Sequence, residues 1–395
     1  MSERRISPAA PSVEMPDLAR FNGPGRRYWQ TLGWRCDSPG SYSQHGRAGD
    51  GMLLVTSPAP RLHWRSVLSH DRQALPEHSP EWLDAVCAAG PYADASRHYT
   101  FGDGRQFVLP MVRRTGLVGV GGSLESFPAA WGVGGLLGAG LDPEALAGVL
   151  VDLESIGAMR IKIRPNPLAA DVWAAVMDPA VLGIPHRAHV VDLSGGPDAV
   201  LSGMRSNTRS QVRRAERVGV RVEVDRTGGL LDPYYELFLK SLLRWADRQH
   251  EPHAMASWRG RRRDPLAKLQ SMSKAMGSNF VVTMAFVNDA PAFGTITLLG
   301  RTAHFTRGAM DVDLVGSTKP GPLVHWTNMQ LACAEGCTQY HMGDSGESQS
   351  LAQFKEGLGA RPVDYAEYRI ERLPYTRTDQ AARSLVKRAL RFRDT

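Results

Sequence analysis

The chain has few cysteines, only Cys36, Cys87, Cys333 and Cys337 among 395 residues, and their spacing fits no disulfide framework. That scarcity matches a reducing compartment, and a cytoplasmic protein is expected. It also has no run of about eighteen apolar residues, so no membrane span is expected. Met1-Ser2-Glu3-Arg4-Arg5 carries charge with no apolar stretch behind it, which is not the pattern of a secretory leader. Cys333 and Cys337 stand one helical turn apart, but Gly336 between them predicts a helix end, and no nearby His/Cys pair completes a metal set. Both read as small buried side chains, and neither a metal nor a bound cofactor is expected. A net charge of +7 excludes little by itself; its distribution matters more.

What is present points to an α/β chain too long for one simple core, so two domains are expected. Residues 1–57 are rich in Pro, Gly, Ser and Arg and read as an irregular N-terminal extension, with Phe21, Tyr28, Trp29 and Trp34 packing on the body. Ser79-Pro80-Glu81 then opens a short helix through Trp82, Leu83, Val86 and Cys87. Tyr99–Phe101, the turn Gly102-Asp103-Gly104 and Phe107–Val112 read as a hairpin. The glycine-rich stretch from Gly116 to Gly140 reads as a strand with loops. Asp142-Pro143-Glu144 caps a helix with Leu146, Val149, Leu150, Leu153 and Ile156 at helical spacing; Gly157 ends it, and the strand Arg160–Ile163 follows.

The same order of parts returns later. Phe280–Phe286, a turn at Asn288-Asp289 and Phe293–Leu299 predict a second hairpin, with a further strand around Ala303–Thr306. Gly321-Pro322-Leu323 starts a helix that stops at Gly336, before the strand Tyr340–Met342. Pro143 to Gly157 and Pro322 to Gly336 have the same spacing. With a strand after each and a hairpin before each, the pattern predicts an internal duplication, one unit over 58–193 and another over 194–372. A short basic helix is expected over 373–395.

Between the copies, Leu201–Gly219 carries Arg205, Arg209, Arg213, Arg214 and Arg217, offset only by Glu216. On a helix, 205, 209, 213 and 217 share a face. Guanidinium forks suit phosphate; the alternative is a solvated face paired with carboxylates elsewhere. Pro233 to about Arg248 reads as a core helix. Trp258 with Arg259, Arg261, Arg262 and Arg263 reads as a loop bearing a second positive patch.

Three stretches together carry a resemblance. Asn207-Thr208-Arg209 with Val212-Arg213-Arg214-Ala215-Glu216-Arg217-Val218-Gly219-Val220 resembles a segment of the FemAB-like transferases. Pro322-Leu323 with Trp326, Ala332, Glu335 and Gly336 resembles their second-domain helix. Tyr340–Asp344 followed by Phe354-Lys355-Glu356-Gly357-Leu358-Gly359 resembles their closing strand and F-K-x-G-[FL]-G motif. The resemblance spans roughly residues 78–370. It implies two tandem GNAT-like domains, each a mixed, twisted sheet flanked by helices, with the acceptor in a cleft between them. It also implies an acyltransferase that moves an amino acid from aminoacyl-tRNA onto an amine to form an amide.

An aminoacyl ester is already activated, so aminolysis needs positioning, a neutral amine and a donor aimed at the developing oxyanion. Lys355 is expected to be that donor, with Asp344 as the protein's candidate base and His341 behind it. Phe354, Gly357, Gly359, Arg307 and Ser345 are expected around the substrate, the two glycines for close approach or positive φ. Asp311 and Asp313 read as turn-forming residues. Arg205, Arg209, Arg213, Arg214, Arg217, Arg261, Arg262 and Arg263 are expected to meet tRNA phosphates. The chain departs from the family in lacking the long helical arm after Arg248 and in its N-terminal extension. Both departures favour a natural-product or peptide-like acceptor over a peptidoglycan precursor. The rival donor is an acyl-CoA; the turn Val315–Pro322 carries two prolines, which remove N–H groups that a pyrophosphate would need. A third reading is a non-catalytic RNA-binding module on the same fold.

Overall fold

The computed structural model describes residues 44–48, 51–115, 122–373 and Thr376. Its first half runs β1 (Gln44–Ala48), β2 (Gly51–Thr56), α1 (Arg61–His70), α2 (Pro80–Ala89), β3 (Tyr92–Asp94), β4 (Arg97–Phe101), β5 (Gln106–Leu109), β6 (Val112–Arg114), β7 (Ser123–Glu125), α3 (Pro143–Ser155), β8 (Arg160–Ile163), α4 (Ala170–Val176) and β9 (Leu182–Asp192). The second half opens with α5 (Gly196–Gly203), α6 (Ser206–Arg217), β10 (Arg221–Asp225), α7 (Leu231–Gln249), α8 (His253–Arg263) and α9 (Leu266–Met276). It continues through β11 (Phe280–Val287), β12 (Ala290–Leu298), β13 (Ala303–Met310), α10 (Val312–Val315), α11 (Pro320–Ala334), β14 (Gln339–Asp344), α12 (Gln349–Gly357) and β15 (Arg361–Glu371). The helix signals act as expected. Ser79 Oγ caps α2 by accepting from Trp82 N, Asp142 caps α3 by accepting from Ala145 N, and Gly157 and Gly336 adopt positive φ just past α3 and α11.

The fold is α/β. Eleven strands form one mixed sheet in the order β10-β11-β12-β13-β14-β9-β15-β8-β7-β6-β3, and β1-β2-β4-β5 form a second sheet. The halves repeat at a constant spacing of 179 residues: Pro143 and Pro322 stand in the first turns of α3 and α11, and the strand pairs β8/β14 and β9/β15 begin at Arg160 and Gln339 and at Leu182 and Arg361. Even the register repeats. Leu124 pairs with Ile161 in the parallel β7/β8 ladder, and Ala303 with Tyr340 in the parallel β13/β14 ladder. The last strand of each copy is exchanged: β9 lies beside β14 and β15 beside β8, and β9 pairs with β15 from Leu182/Arg369 to Val190/Arg361. A pseudo-twofold axis therefore passes beside the cross-strand pair His186 and Tyr365, themselves 179 apart.

Three expectations are corrected. The hairpin of Tyr99–Phe101 with Phe107–Leu109 is not the counterpart of β11/β12. It joins β1 and β2 in the separate sheet, so part of the stretch read as an irregular extension is strand, and the place matching β11/β12 in the mixed sheet is taken by β3/β6. Arg259–Arg263 lie in helix α8 rather than a loop. Gly260 is admitted at its centre because a Cβ there would stand 2.3 Å from Leu242 Cδ1, so the missing side chain lets α8 approach α7. The stretch Leu201–Gly219 is two helices, α5 and α6, broken at Arg205. The expected basic helix at the C-terminus lies outside the described residues, apart from its first residue, Leu373, and Thr376.

Alternation along β11 sorts the helices into layers. Phe280, Val282 and Met284 pack in one core with Leu231, Tyr234 and Leu237 of α7 and Leu269 and Met272 of α9. Val281 packs in another with Val212 and Ala215 of α6 and Leu323, Trp326 and Met329 of α11. A third core joins α3, α4, β5 and β8, where Trp173 stacks on Tyr368 at 5.8 Å and so ties α4 to the exchanged strand β15. Fully burying a side chain of that size contributes about 2–3 kcal/mol.

Candidate active site

Parallel strands β13 and β14 pair only at Ala303/Tyr340 and His304/His341. Beyond that step they diverge. β13 follows β12 through a bulge after Phe305, and β14 follows β9 through an irregularity before Asp344. Two strand edges thus open just past the last paired residues. An opening at the carboxyl ends of adjacent parallel strands is where α/β folds bind ligands.

Lys355 lies in the last turn of α12, a helix capped by Ser348 Oγ, which accepts from Leu351 N. Its side chain reaches back into the opening, where Nζ donates to Gly343 O at 3.0 Å and Asp344 O at 2.7 Å. The residue is 2% exposed, so it is no ordinary surface lysine. Burial pulls its ammonium down to about 8, partly offset by Asp344. Near pH 7 it is still mostly charged, with one N–H not committed to either carbonyl. Beside it stand three half-buried phenylalanines: Phe354 on α12, Phe305 on β13 and Phe293 on β12. All three pack edge-on to the buried His325 ring at 5.6, 4.8 and 6.1 Å. Burial, and then the Lys355 charge, push His325 down to about 3, so it is neutral.

Asp344 is not the base that the sequence suggests. Its carboxylate accepts from Arg164, from Tyr365 OH at 3.0 Å, and contacts His186 Nδ1 at 3.0 Å. Burial would raise it, but His186 and Arg164 outweigh that and hold it at about 2. A carboxylate so stabilised is a poor proton acceptor. It is instead the hub where the carboxyl ends of β8 and β14 meet at the pseudo-twofold axis. His341 is buried and pushed down to about 3 by burial and then by His304. Asp311 is the N-cap of α10, accepting from Asp313 N at 3.1 Å, and Asp313 lies in the first turn of that helix rather than in a loop turn.

Other candidates are also relocated. Arg307 is tied into a buried cluster: its guanidinium contacts Asp264 at 2.8 Å and donates to Ala130 O at 2.6 Å, and Lys268 shares both partners. It is committed to holding α9 and the 130 loop against β13, not to substrate. Gly357 and Gly359 do serve close approach, but toward the α5–α6 turn. A Cβ at Gly357 would stand 2.8 Å from Thr208 Oγ1, and Gly359, at φ +90, faces the Gly203 carbonyl. Ser345 is buried behind Asp344, its amide donating to Arg187 O.

The arginines divide. Arg205 pairs with Glu356 at 2.9 Å. Arg209 donates to Ser202 O at 2.9 Å and to Met204 O, capping α5. These two are engaged at the helix junction. Arg213, Arg214 and Arg217 are exposed on α6 and have no carboxylate partner among the described residues. Arg261, Arg262 and Arg263 are exposed on α8, with Arg262 over the Trp258 ring at 5.3 Å and Arg263 beside Asp264. Because α6 packs with α11 and α8 with α7, the two basic patches lie on opposite faces of the sheet and form no single surface. Cys337 fits its reading, buried with its Sγ donating to Gly300 O, whereas Cys333 is only half-buried. Among the described residues no His/Cys/Asp/Glu group could hold a metal ion, and no helix is long and apolar enough to cross a membrane.

Sequence reasoning missed Phe293, Phe305, His304 and Glu77. The first three sit in ordinary strand alternation, and Glu77 in a short turn after Pro76, so nothing local marks them.

Residues 202–356 match the family described as an acetyltransferase (GNAT) domain. No curated protein sequence matches the chain. Among solved structures, FemX aligns with a TM-score of 0.56 at 12% identity, covering 79% of this chain and 96% of FemX. A conserved protein of unknown function from Bacteroides thetaiotaomicron VPI-5482 aligns at 0.48 and 9% identity, covering 79% and 97% of the two chains. A tandem GNAT protein from the clavulanic acid biosynthesis pathway aligns at 0.39 and 13%, covering 74% and 94%. The fold is similar to that of FemX, and the GNAT acetyltransferase match falls in the second half of this chain. That combination supports an acyltransferase of the GNAT/Fem type.

Proposed function

We propose that this Fem-like fold transfers an amino acid from aminoacyl-tRNA to the amine of a small or peptide-like acceptor, forming an amide. The observation that carries the reading is the Lys355 ammonium, buried at the opening between β13 and β14 and bordered by Phe354. With two N–H groups held by carbonyls, the third is left uncommitted. At the opening it would stabilise the oxyanion formed when the amine attacks the ester carbonyl. The new C–N bond forms, the ester C–O bond breaks, and the ribose hydroxyl leaves. In a site from which water is excluded, one such donor contributes roughly 10²–10³ in turnover.

Two observations favour tRNA over acyl-CoA as the donor. Arg213, Arg214 and Arg217 present three exposed guanidiniums from one helix on the α11 side of the sheet. The first turn of α11, where a pyrophosphate would seek amides, begins with buried Pro320 and Pro322, and proline has no N–H to give.

The test is retention and transfer. The purified chain is titrated with bulk charged tRNA over a salt series, beside the Arg213/Arg214/Arg217→Ala triple variant, and transfer of labelled amino acids to simple amines is followed. Salt-sensitive binding that collapses in the triple variant, with label moving to the amine, supports the reading. Failure to bind tRNA together with thermal stabilisation by acetyl-CoA would refute it in favour of the acyl-CoA donor. If Lys355→Ala left every measurable property intact, an RNA-binding module would be the better description.

A further inference from the structure

Glu77 stands in the turn between α1 and α2, and its carboxylate is wholly buried. It has been placed there with care: a Cβ at Gly132 would stand 2.6 Å from its Oε1, and Val133 N donates to that oxygen at 3.4 Å. Its partner is His304, the last residue of β13 that pairs with β14, whose Nδ1 lies 2.6 Å from Oε1. Burial would raise the Glu77 carboxyl, but the charge and hydrogen bond of His304, with help from His78, bring it below its ordinary value. Glu77 is therefore an anion and can only accept. In its neutral form His304 therefore carries its proton on Nδ1 and its lone pair on Nε2.

Nε2 is aimed at the opening. It lies 3.9 Å from where a Cβ on Gly343 would stand, and Gly343 is the residue whose carbonyl receives Lys355 Nζ. The His304 side chain keeps 9% of its surface open while Glu77 has none. Strand alternation puts His304 on the face opposite Phe305 and α11, so His304 and Lys355 reach the same glycine from the two faces of the sheet. The other titratable groups around His304 are His341 on β14, with rings 6.0 Å apart, and His78 beside Glu77. Burial is the main cause that depresses both imidazoles.

We propose that His304 is the general base of the transfer and that Glu77 is its positioning residue; this rests on the acyl-transfer reading above. The amine enters from the His304 face and the acyl carbonyl lies toward Lys355. As the C–N bond forms, the amine proton passes to His304 Nε2. As the ester C–O bond breaks, the imidazolium returns that proton to the departing ribose oxygen. The arrangement is a carboxylate–imidazole pair with the imidazole held in one tautomer, and such a base contributes roughly 10²–10⁴ in rate.

The experiment measures single-turnover transfer from charged tRNA to a simple amine by the wild-type chain and by His304→Gln, His304→Ala and Glu77→Gln, with tRNA retention alongside. His304→Gln is expected to lose about 10²-fold in rate with tRNA retention unchanged. Added imidazole is expected to restore part of the rate in His304→Ala, which a merely structural histidine would not permit. Glu77→Gln is expected to move the acid limb of the rate profile to lower pH, since the anion that favours imidazolium is gone. Wild-type transfer with an undiminished His304→Gln, or with no imidazole rescue and an unmoved limb, overturns the base and leaves the transferase reading standing. A wild-type chain that transfers nothing sinks that reading, and the base with it.

Discussion

Replacing Lys355 by methionine separates a structural lysine from a working one. Two terms oppose each other. Its Nζ donates to Gly343 O and Asp344 O, and charged hydrogen bonds contribute about 1.5–3 kcal/mol each. Against that, burial lowers the ammonium from 10.5 to about 8, which at about 1.4 kcal/mol per unit is a cost of about 3 kcal/mol for keeping it charged. Methionine removes both terms and keeps most of the volume. Near neutral pH the expected loss is therefore small, on the order of 0–3 kcal/mol. The sign with pH follows from a folded value below the unfolded one: the penalty is fully present below about pH 8 and is relieved as pH rises toward 10.5. Wild type should thus gain on Lys355→Met by up to about 3 kcal/mol across that window, read as urea midpoints at both ends. Turnover should fall roughly 10²–10³-fold with tRNA retention unchanged. A variant that keeps its turnover refutes the catalytic assignment. A variant that loses well over 4 kcal/mol near neutral pH refutes the balance of terms.

Alanine at Arg213, Arg214 and Arg217 should lower the salt slope of tRNA binding by about three, roughly one per phosphate contact. Alanine at Arg205 and Arg209 should leave the slope alone and lower the melting temperature, because those two hold Glu356 and the end of α5. Alanine at Arg261 and Arg262, on the opposite face, should change neither binding nor slope; a reduced slope there would show that the polyanion reaches both faces. Asp344→Asn should cost about 2 kcal/mol at neutral pH, since the carboxyl is held from 3.8 down to about 2. That contribution is present above about pH 4 and is lost as pH falls through about 2, so acid denaturation curves of the two proteins should converge. Glu154 runs the other way: burial, then Asp178, raise it from 4.5 to about 7, and stability falls as pH rises through that range. Glu154→Gln should stabilise the chain by about 1–3 kcal/mol above pH 7, measured by denaturant midpoint.

The duplication was legible where caps and glycines punctuate apolar helices, as at Pro143–Gly157 and Pro322–Gly336. It was misjudged upstream, where β4/β5 and β11/β12 have the same local signature and only long-range pairing separates them. The two central strands were not legible at all. β9 and β15 carry Pro185 and Pro362 with several charges, which argues against a sheet centre. The structure resolves that conflict: β14 pairs β9 only from Ala188 onward and β8 pairs β15 only from Tyr368 onward. Each proline sits on the half of its strand whose outer edge is unpaired, so its missing N–H breaks no ladder.

The site divides along the same line. Lys355 could be found because the motif around it is local, and the glycines that mark it are needed by the α5–α6 turn packed against them. The arginines could be counted but not sorted, because only tertiary contacts show that Arg205 and Arg209 are committed to the scaffold and that α6 and α8 lie on opposite faces. Glu77 and His304 meet from 227 residues apart, and each alone is an unremarkable polar residue in an apolar setting. Their pairing depends on the N-terminal segment docking on the second-half sheet, at the one step where β13 and β14 still pair. The exchange of β9 and β15 brings the carboxyl ends of β8 and β14 together at Asp344, next to that step. The duplicated fold therefore joins its halves and opens its working cleft through the same few residues, which is why a substitution there must be read by rate and stability together.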